Sequence, residues 1–295
     1  MSADIQHIVT RFAPSPTGRL HIGHAWSALK AMDLARAAGG VMRLRIEDID
    51  GARSRPEHVD GIIEDLRWLG VEWDGEVVFQ SQRLSLYDTA LEQLRHEGLV
   101  YPCFCTRAEI AAEIAASGSA PHGSDGPVYP GTCRHLDADV QAARIALGDA
   151  HCWRLDMDKA VARAGPLTWQ DMDRGPITAR PELAGDVVLA RKDAPTSYHL
   201  AATLDDTDMG ITHVLRGDDL VAATDIHRLL QALLDLPSPL YSHHPLLVDA
   251  EGNRLAKRSG GISLAELRGR GMDPARLRDD LRGNRFPVGI RLASA

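Results

Sequence analysis

The sequence predicts an α/β protein with a Rossmann-like, doubly wound parallel sheet, and three observations support this fold class. Short apolar runs at Ile8-Val9 and Met42–Ile46 are typical of buried strands, and a helix-like segment follows each of them. Strands that alternate with helices indicate a parallel sheet with right-handed crossovers. The composition changes after Val100, where a cysteine-bearing stretch and a loop rich in Gly, Ser and Pro begin. This change predicts an inserted small subdomain.

The remaining elements follow in order along the chain. Ser54-Arg-Pro-Glu57 has the spacing of a capping box at the start of a helix, and the apolar residues between Leu84 and Leu94 predict a further helix that ends at Gly98. Asp186–Ala190 and Ile211–Leu215 are predicted strands. We predict a catalytic domain in two halves, 1–100 and 186–240. The inserted subdomain between them covers 101–185, and a final segment, 241–295, has a basic loop and a short helical stretch.

Length and composition indicate an ordinary globular protein. The chain has 295 residues, 44% of them hydrophobic and 25% charged, and no apolar run approaches the roughly 20 residues of a membrane span. No signal-peptide pattern is present at the N-terminus, so we expect a cytoplasmic protein, and we expect a monomer with no membrane partner. The net charge of −8 gives no overall support to nucleic-acid binding. A local basic patch is possible at Arg268–Arg291, which has seven arginines against three acidic residues.

The stretch Arg11–His24 has the features of a nucleotide-binding loop. It joins the first predicted strand to a predicted helix at Ala25–Ala38, and this junction is where nucleotides bind in α/β sheets. Gly23 lets the backbone approach a ligand closely. His21 and His24 lie three residues apart, so that both imidazoles face the same point on the first turn of a helix. Two donors near the free N–H groups of a helix start suit phosphoryl or nucleotidyl transfer.

Charged residues follow two other predicted strands. Glu47 comes directly after Met42–Ile46, and Arg216 follows Ile211–Leu215, so both should reach the carboxyl edge of the sheet. Arg216 suits a carboxylate because its planar fork can bind both oxygens. Tyr198 can add a hydroxyl donor. Taken alone, Arg216 and Tyr198 are each more often surface residues, so the residue types by themselves leave a carboxylate site at this edge open.

Three cysteines predict a structural metal site in the inserted subdomain. Cys103 and Cys105 are two residues apart, and Cys133 follows 28 residues later. Three thiolates are one ligand short of a tetrahedral zinc site. The candidates for the fourth ligand are Tyr129, His122, His135 and Cys152, and ligand chemistry alone favours a histidine or Cys152.

Four motifs together resemble one family, the class I aminoacyl-tRNA synthetases, in the form carried by glutamyl-tRNA synthetases. Arg11–His24 resembles the HIGH signature, Leu44–Asp50 is similar to the family's LRIEDTD segment, and the run from Tyr198 to Asp219 resembles its YHLA…DD…MGITHVIRGDD block. Asn253–Arg258 matches the KMSKS loop imperfectly, with Arg254 and Ala256 in place of the usual Lys and Ser.

The resemblance implies roles for individual residues. It implies a glutamate site at Arg11, Phe12, Ala13, Pro14, Ser15, Glu47, Tyr198 and Arg216, with Glu47 as the partner of the substrate ammonium group. It implies an ATP site at His21, Gly23, His24 and Lys257, of which His21, His24 and Lys257 would be catalytic, and it implies Mg²⁺ with the ATP. Cys-x-Cys followed by Tyr-Pro-Gly-Thr-Cys looks like the zinc cluster of the family's glutamyl-queuosine branch, which implies Tyr129 as the fourth ligand beside Cys103, Cys105 and Cys133.

The end of the sequence favours the same branch. Only 37 residues follow Arg258, too few for the helical anticodon-binding region of a glutamyl-tRNA synthetase. The resemblance thus implies activation of L-glutamate with ATP and its transfer to the queuosine base at the wobble position of tRNA(Asp). Three alternatives stay open: a glutamyl-tRNA synthetase catalytic core that charges tRNA(Glu), a different nucleotidyltransferase, and a non-catalytic paralogue that binds amino acid or RNA.

Overall fold

The structure is a computed structural model, and it describes residues 7–51, 53–116, 122–123, 126–253, 255 and 262–293. The helices are α1 (Ile22–Ala37), α2 (Pro56–Leu69), α3 (Leu84–His96), α4 (Arg107–Ala116), α5 (Ala138–Ala146), α6 (Met157–Ala164), α7 (Tyr198–Asp208), α8 (Val221–Leu233), α9 (Leu264–Gly269) and α10 (Pro274–Arg282). The strands are β1 (Val9–Phe12), β2 (Val41–Ile46), β3 (Val78–Phe79), β4 (Val100–Cys103), β5 (His122–Gly123), β6 (Gly126–Pro127), β7 (Cys152–Leu155), β8 (Thr168–Asp171), β9 (Gly175–Thr178), β10 (Val188–Ala190), β11 (His213–Gly217), β12 (Leu240–His244), β13 (Leu247–Val248) and β14 (Arg291–Leu292). None of these helices is both long enough and apolar enough to cross a bilayer.

A parallel sheet forms the centre of the molecule, as the sequence predicted. β2 pairs in parallel with β1 on one side and with β3 on the other, and β11 pairs in parallel with β12. The two groups meet at β1 and β11, where the backbone N–H of Thr212 donates to the carbonyl of Val9 at 2.9 Å. This contact places β11 beside β1, so the two ladders lie next to each other in the order β3-β2-β1-β11-β12, and the carboxyl ends of β1, β2 and β11 meet at one cavity. The α/β class and the parallel sheet are therefore confirmed.

α1 packs its apolar face against this sheet and begins earlier than the sequence predicted. Its buried residues include Ala25, Leu29 and Met32, which share a core with Met42 and Leu44 of β2. The helix starts at Ile22 rather than at Ala25, because a histidine side chain caps its first turn. This earlier start brings the histidines of the loop onto the helix end.

The predicted capping box of α2 is wrong. The N-cap residue is Arg55, which is extended (φ −129°, ψ 136°) and makes no side-chain cap hydrogen bond. Arg55 precedes Pro56, and the proline ring disfavours helical geometry in the residue before it. The helix therefore starts at the proline, a position that needs no N–H, and not one residue earlier.

The segment between the two halves of the parallel sheet builds a second, smaller sheet. β4, β7 and β10 pair antiparallel in the order β10-β7-β4. The strand predicted at Asp186–Ala190 forms over Val188–Ala190, but it joins this small sheet and not the parallel one. The β8–β9 hairpin, in contrast, extends the parallel sheet, since Asp171 lies opposite Tyr241 of β12. The sequence-based domain boundaries remain predictions.

The arginines of the C-terminal segment attach it to the catalytic core. Arg282 of α10 forms a two-armed ion pair with Asp33 of α1, with the closer contact at 2.6 Å. Arg268 contacts Glu64 of α2 at 2.7 Å, and Nη1 of Arg278 donates to the carbonyl of Leu69 at 3.1 Å. Three of the arginines in this segment, Arg268, Arg278 and Arg282, therefore contact the catalytic core.

Candidate active site

Two histidines cap the amino end of α1. Nδ1 of His21, the N-cap residue, accepts a hydrogen bond from the backbone N–H of Gly23 at 3.1 Å, and Nδ1 of His24 accepts from the backbone N–H of His21 at 3.2 Å. Because both Nδ1 atoms accept, each neutral ring carries its proton on Nε2. A Cβ at Gly23 would lie 2.9 Å from Cε1 of His21, so a side chain there would displace the ring. The sequence thus fixes two imidazoles with their centroids 3.8 Å apart at a helix amino end, which favours negative charge.

A cavity of about 710 Å³ lies at the carboxyl edge of the parallel sheet, beside these histidines. It is lined by every described residue that the sequence analysis assigned to glutamate or ATP, namely Arg11, Phe12, Ala13, Pro14, Ser15, His21, Gly23, His24, Glu47, Tyr198 and Arg216. Lys257 lies outside the described residues. The ends of β1, β2 and β11, which are far apart in the sequence, therefore contribute to one binding space.

Part of the cavity wall was not found from the sequence. Trp26 and Ser27 of α1 line it together with His244 at the end of β12 and the two residues that follow. Nε2 of His244 lies 3.0 Å from the hydroxyl of Ser27, and the Trp26 ring packs edge-on against the His244 ring at 4.9 Å. Burial lowers the pKa of His244. The position of His244 at the end of a strand parallel to β11 is the one signal that could have indicated it.

Arg216 is buried and held by neutral partners at one side of the cavity. Its Nη1 donates to the hydroxyl of Tyr198 at 3.1 Å, and its Nη2 donates to Oγ1 of Thr224 at 2.6 Å. Nε donates to Nε2 of His243 at 3.4 Å. Burial, followed by the positive charge of Arg216, lowers the pKa of His243 to about 4. Because these partners carry no negative charge, the guanidinium keeps its attraction for a carboxylate in the cavity.

Glu47 and Arg11 line the cavity and belong to a buried ion network. Nε of Arg11 donates to Oδ1 of Asp206 at 3.1 Å, and Arg45 contacts both Asp206 and Glu47. Burial raises the pKa of Glu47, and the Arg45 guanidinium opposes that rise. Burial also opposes ionisation of Asp206, but the charges of Arg11 and Arg45 outweigh it and lower the pKa of that carboxyl. The cavity therefore presents a carboxylate as well as cationic donors.

The cysteines that the sequence singled out lie together. The sulfur atoms of Cys103, Cys105 and Cys133 lie within 4.8 Å of one another, and those of Cys105 and Cys133 are 3.4 Å apart. The hydroxyl of Tyr129 lies 3.4 Å from Sγ of Cys103 and 3.5 Å from Sγ of Cys105. Burial raises the pKa of Cys105 to about 11.

Two other candidates for the fourth ligand, Cys152 and His135, lie outside the group formed by the three sulfur atoms. Cys152 is buried opposite Cys103 in the β4–β7 ladder, but it is not part of the sulfur group. His135 is exposed and outside the group as well, and the side chain of His122 lies outside what the structure describes. Three thiols and a phenol oxygen converging on one point form a donor set that fits Zn²⁺.

Comparison with known proteins identifies a family and several close relatives. The model of the family "tRNA synthetases class I (E and Q), catalytic domain" matches residues 7–286. The "Glutamyl-Q tRNA(Asp) synthetase" of Rhodobacter capsulatus is 50% identical over 276 residues, which cover 92% of this chain and 98% of the relative. The protein of the same name from Symbiobacterium thermophilum is 46% identical over 275 residues, covering 90% of this chain and 82% of the relative.

A solved structure has the same fold. The crystal structure of the glutamate–tRNA synthetase from Elizabethkingia anophelis superimposes with a TM-score of 0.72 at 30% sequence identity, covering 86% of this chain. The chain spans about half of that synthetase, 53% of its length.

Proposed function

We propose that this chain, which belongs to the class I tRNA synthetases (E and Q) because it matches their catalytic domain, activates L-glutamate with ATP. It then transfers the glutamyl group to the queuosine base of tRNA(Asp). It is a ligase-type enzyme of the aminoacyl-tRNA synthetase kind. The observation that carries the proposal is the arrangement of charges in one cavity, which Arg216 and Glu47 line next to the paired histidines. An acidic amino acid can place a carboxylate against Arg216 and its ammonium group against Glu47.

Arg11, Ser15, Tyr198 and Arg216 would bind the carboxylates of glutamate, and Glu47 would bind its ammonium group. The buried Arg216 attracts a carboxylate, because its partners among the described residues, Tyr198, Thr224, His243 and His227, are uncharged and leave its positive charge unpaired. Glutamine cannot satisfy this contact, because its amide nitrogen donates where the guanidinium needs an acceptor. We therefore expect strong selectivity for glutamate.

Activation is proposed to proceed by attack of the α-carboxylate of glutamate on the α-phosphorus of ATP. The bond from that phosphorus to the bridging oxygen breaks, and pyrophosphate leaves with the electron pair. His21 and His24 would donate from Nε2 to the phosphate oxygens, as their Nδ1 atoms are both acceptors of backbone N–H groups. Lys257 would neutralise the leaving pyrophosphate, and Mg²⁺ would enter with ATP. The residues mainly position the reactants and stabilise charge.

Transfer would then complete the reaction. A hydroxyl of the queuosine base attacks the carbonyl carbon of the glutamyl adenylate, its proton is lost, and AMP leaves. The choice of acceptor is supported by the relative from R. capsulatus, which carries this activity in its name and aligns with the chain over 98% of its length.

A structural zinc ion is the second part of the proposal. Cys103, Cys105, Cys133 and Tyr129 would hold it, because their donor atoms converge and because tetrahedral zinc sites place sulfur atoms about 3.8 Å apart. The metal would tie the loop that carries Tyr129 and Cys133 to β4.

Transfer of radioactive glutamate tests the function. Purified protein is incubated with ATP, Mg²⁺ and either tRNA(Asp) that contains queuosine, tRNA(Asp) that lacks it, or tRNA(Glu). We expect label only on the first. Label on tRNA(Glu) instead would favour a glutamyl-tRNA synthetase activity, for which the fold shared with the E. anophelis enzyme is the relevant observation. ATP–pyrophosphate exchange that does not depend on glutamate would indicate a different nucleotidyltransferase, and no exchange at all would indicate a non-catalytic binding protein.

A further inference from the structure

The Glu47 carboxylate accepts a hydrogen bond from an arginine that does not line the cavity. Arg45 lies on β2, and its side chain is fully buried (0% exposed). Its Nη2 donates to Oε1 of Glu47 at 3.0 Å. Among the described residues it is the one hydrogen-bond donor to the Glu47 carboxylate. The orientation of the carboxylate thus depends on a residue outside the binding space.

Arg45 also connects Glu47 to Arg11 through a shared carboxylate. Nη1 of Arg45 donates to Oδ1 of Asp206 at 2.6 Å, and the same oxygen accepts from Nε of Arg11 at 3.1 Å. The order of contacts is therefore Glu47, Arg45, Asp206 and Arg11. It joins two cavity-lining residues that stand on different strands, β1 and the end of β2.

The third side of the guanidinium faces an aspartate that is itself fixed. Nε of Arg45 lies 3.7 Å from Oδ2 of Asp205, whose carboxylate accepts hydrogen bonds from Gln80 at 2.8 Å, Arg83 at 2.7 Å and Tyr87 at 3.0 Å. These donors come from α3 and the turn before it, so Asp205 cannot follow a rotation of Arg45. Among the described residues Nε of Arg45 makes no hydrogen bond, so the guanidinium is oriented by the bonds of Nη1 to Asp206 and of Nη2 to Glu47.

We propose that Arg45 is a positioning residue for the amino-acid substrate, which holds the Glu47 carboxylate ionised and oriented for the substrate ammonium group. A buried carboxylate without a cation takes up a proton, and a protonated Glu47 would attract an ammonium group only weakly. The groups that face Glu47 are Arg45 on its own strand, Arg11 on β1, and Asp206 and Tyr198 on α7. Of the two cations among them, Arg45 alone touches the carboxylate. The inference rests on the proposed function, since it assigns a role within the same site.

The pH dependence of glutamate binding tests the role of Arg45. The KM for glutamate is measured from pH 5.5 to 8.5 by glutamate-dependent ATP–pyrophosphate exchange, with tRNA(Asp) present and ATP saturating. In Arg45→Lys, the single ammonium keeps the positive charge but cannot contact Asp206 and Glu47 together. We expect KM to rise about tenfold at pH 7, the size of one lost charge-assisted hydrogen bond, with the KM for ATP unchanged. The pH below which KM for glutamate increases should move upward, because Glu47 is then protonated more easily.

A second variant should move the same profile in the opposite direction. Asp206→Asn removes the negative charge that competes with Glu47 for the Arg45 guanidinium, while the amide oxygen can still accept a hydrogen bond. Glu47 should then ionise at lower pH, so that KM for glutamate stays low further into the acid range. Arg36→Lys is the matched control, since Arg36 forms an ion pair with Asp74 at the surface at 2.8 Å and does not line the cavity. Its profile should match that of the wild type.

The outcomes separate the inference from the function on which it rests. Opposite displacements in Arg45→Lys and Asp206→Asn support the positioning role. If both variants melt at lower temperature but keep the wild-type profile, Arg45 serves stability alone and the inference is wrong. If Arg45→Lys does not fold, an unmoved profile in Asp206→Asn is enough to overturn it. If the wild-type protein shows no glutamate-dependent exchange, the proposed function fails and the inference fails with it.

Discussion

Nη1 of Arg216 donates a hydrogen bond to the hydroxyl of Tyr198 at 3.1 Å, which joins two residues 18 positions apart at the wall of one cavity. Tyr198 opens α7, whereas Arg216 lies near the end of β11. The hydroxyl occupies one position of the guanidinium fork and so limits how the arginine can turn. The pair thereby presents a fixed set of donors to a carboxylate.

Tyr198→Phe is expected to weaken glutamate binding and leave ATP binding unchanged. The variant keeps the aromatic ring but removes the hydroxyl that orients Arg216. The KM for glutamate in pyrophosphate exchange should rise about tenfold, the effect of one hydrogen bond to a charged group. Tyr241→Phe is the matched control, because the Tyr241 hydroxyl is buried and bonded to Gln231 away from the cavity lining. Equal changes in the two variants would contradict the role given to Tyr198.

The two histidines of α1 allow catalysis to be separated from helix capping. In His24→Ala, both the Nε2 donor and the cap acceptor for the N–H of His21 are lost. In His24→Asn, the side-chain oxygen can still accept that N–H. We expect the rate of glutamyl-adenylate formation to fall about 100-fold in both variants, as for the loss of one donor to a developing charge. Only His24→Ala should also lose about 1 kcal/mol of unfolding free energy. Full activity in His24→Asn would show that His24 acts only as a cap.

The sequence could predict the parts of this site that depend on short stretches of chain. Arg11–His24 carries its strand end, its loop and its helix start within one motif, so local geometry determines where the histidines point. Glu47 and Arg216 were placed at the sheet edge because each directly follows a run of strand residues. The parallel order of the sheet then brings them to one cavity.

Features that depend on distant contacts could not be predicted in this way. His243 and Thr224 surround Arg216, but they come from β12 and α8 and have no common spacing in the sequence. The pairing of β10 with β7 also depends on how the small sheet packs and not on the pattern of β10 itself. The start of α2 was missed for a local reason, since the effect of Pro56 on the residue before it outweighs the capping-box spacing.

Metal analysis can test both the zinc site and its fourth ligand. We expect about one equivalent of zinc in the wild-type protein and in Cys152→Ser, because Cys152 lies outside the sulfur group. Cys133→Ser should lose the metal, and Tyr129→Phe should bind it more weakly in competition with a chelator. Unchanged zinc affinity in Tyr129→Phe would exclude the tyrosine as a ligand. Less than about half an equivalent in the wild type would contradict the site as a whole.

The free energy of unfolding should decrease as the pH falls below 7, because His243 is buried as a neutral side chain. Burial, together with the charge of Arg216, lowers its pKa to about 4 in the folded protein, whereas a histidine in an unfolded chain takes up a proton near pH 6.5. Between about pH 6.5 and pH 4 the unfolded state therefore binds more protons, and stability falls with falling pH by at most about 1.4 kcal/mol per pH unit for this residue. The free energy of unfolding in urea at pH 7, 6 and 5 measures this slope. His243→Gln keeps a polar group near Thr224 and Asp171 but cannot titrate, so its slope should be shallower by about 1 kcal/mol per pH unit. A variant slope equal to that of the wild type would show that His243 does not stay neutral in the folded protein.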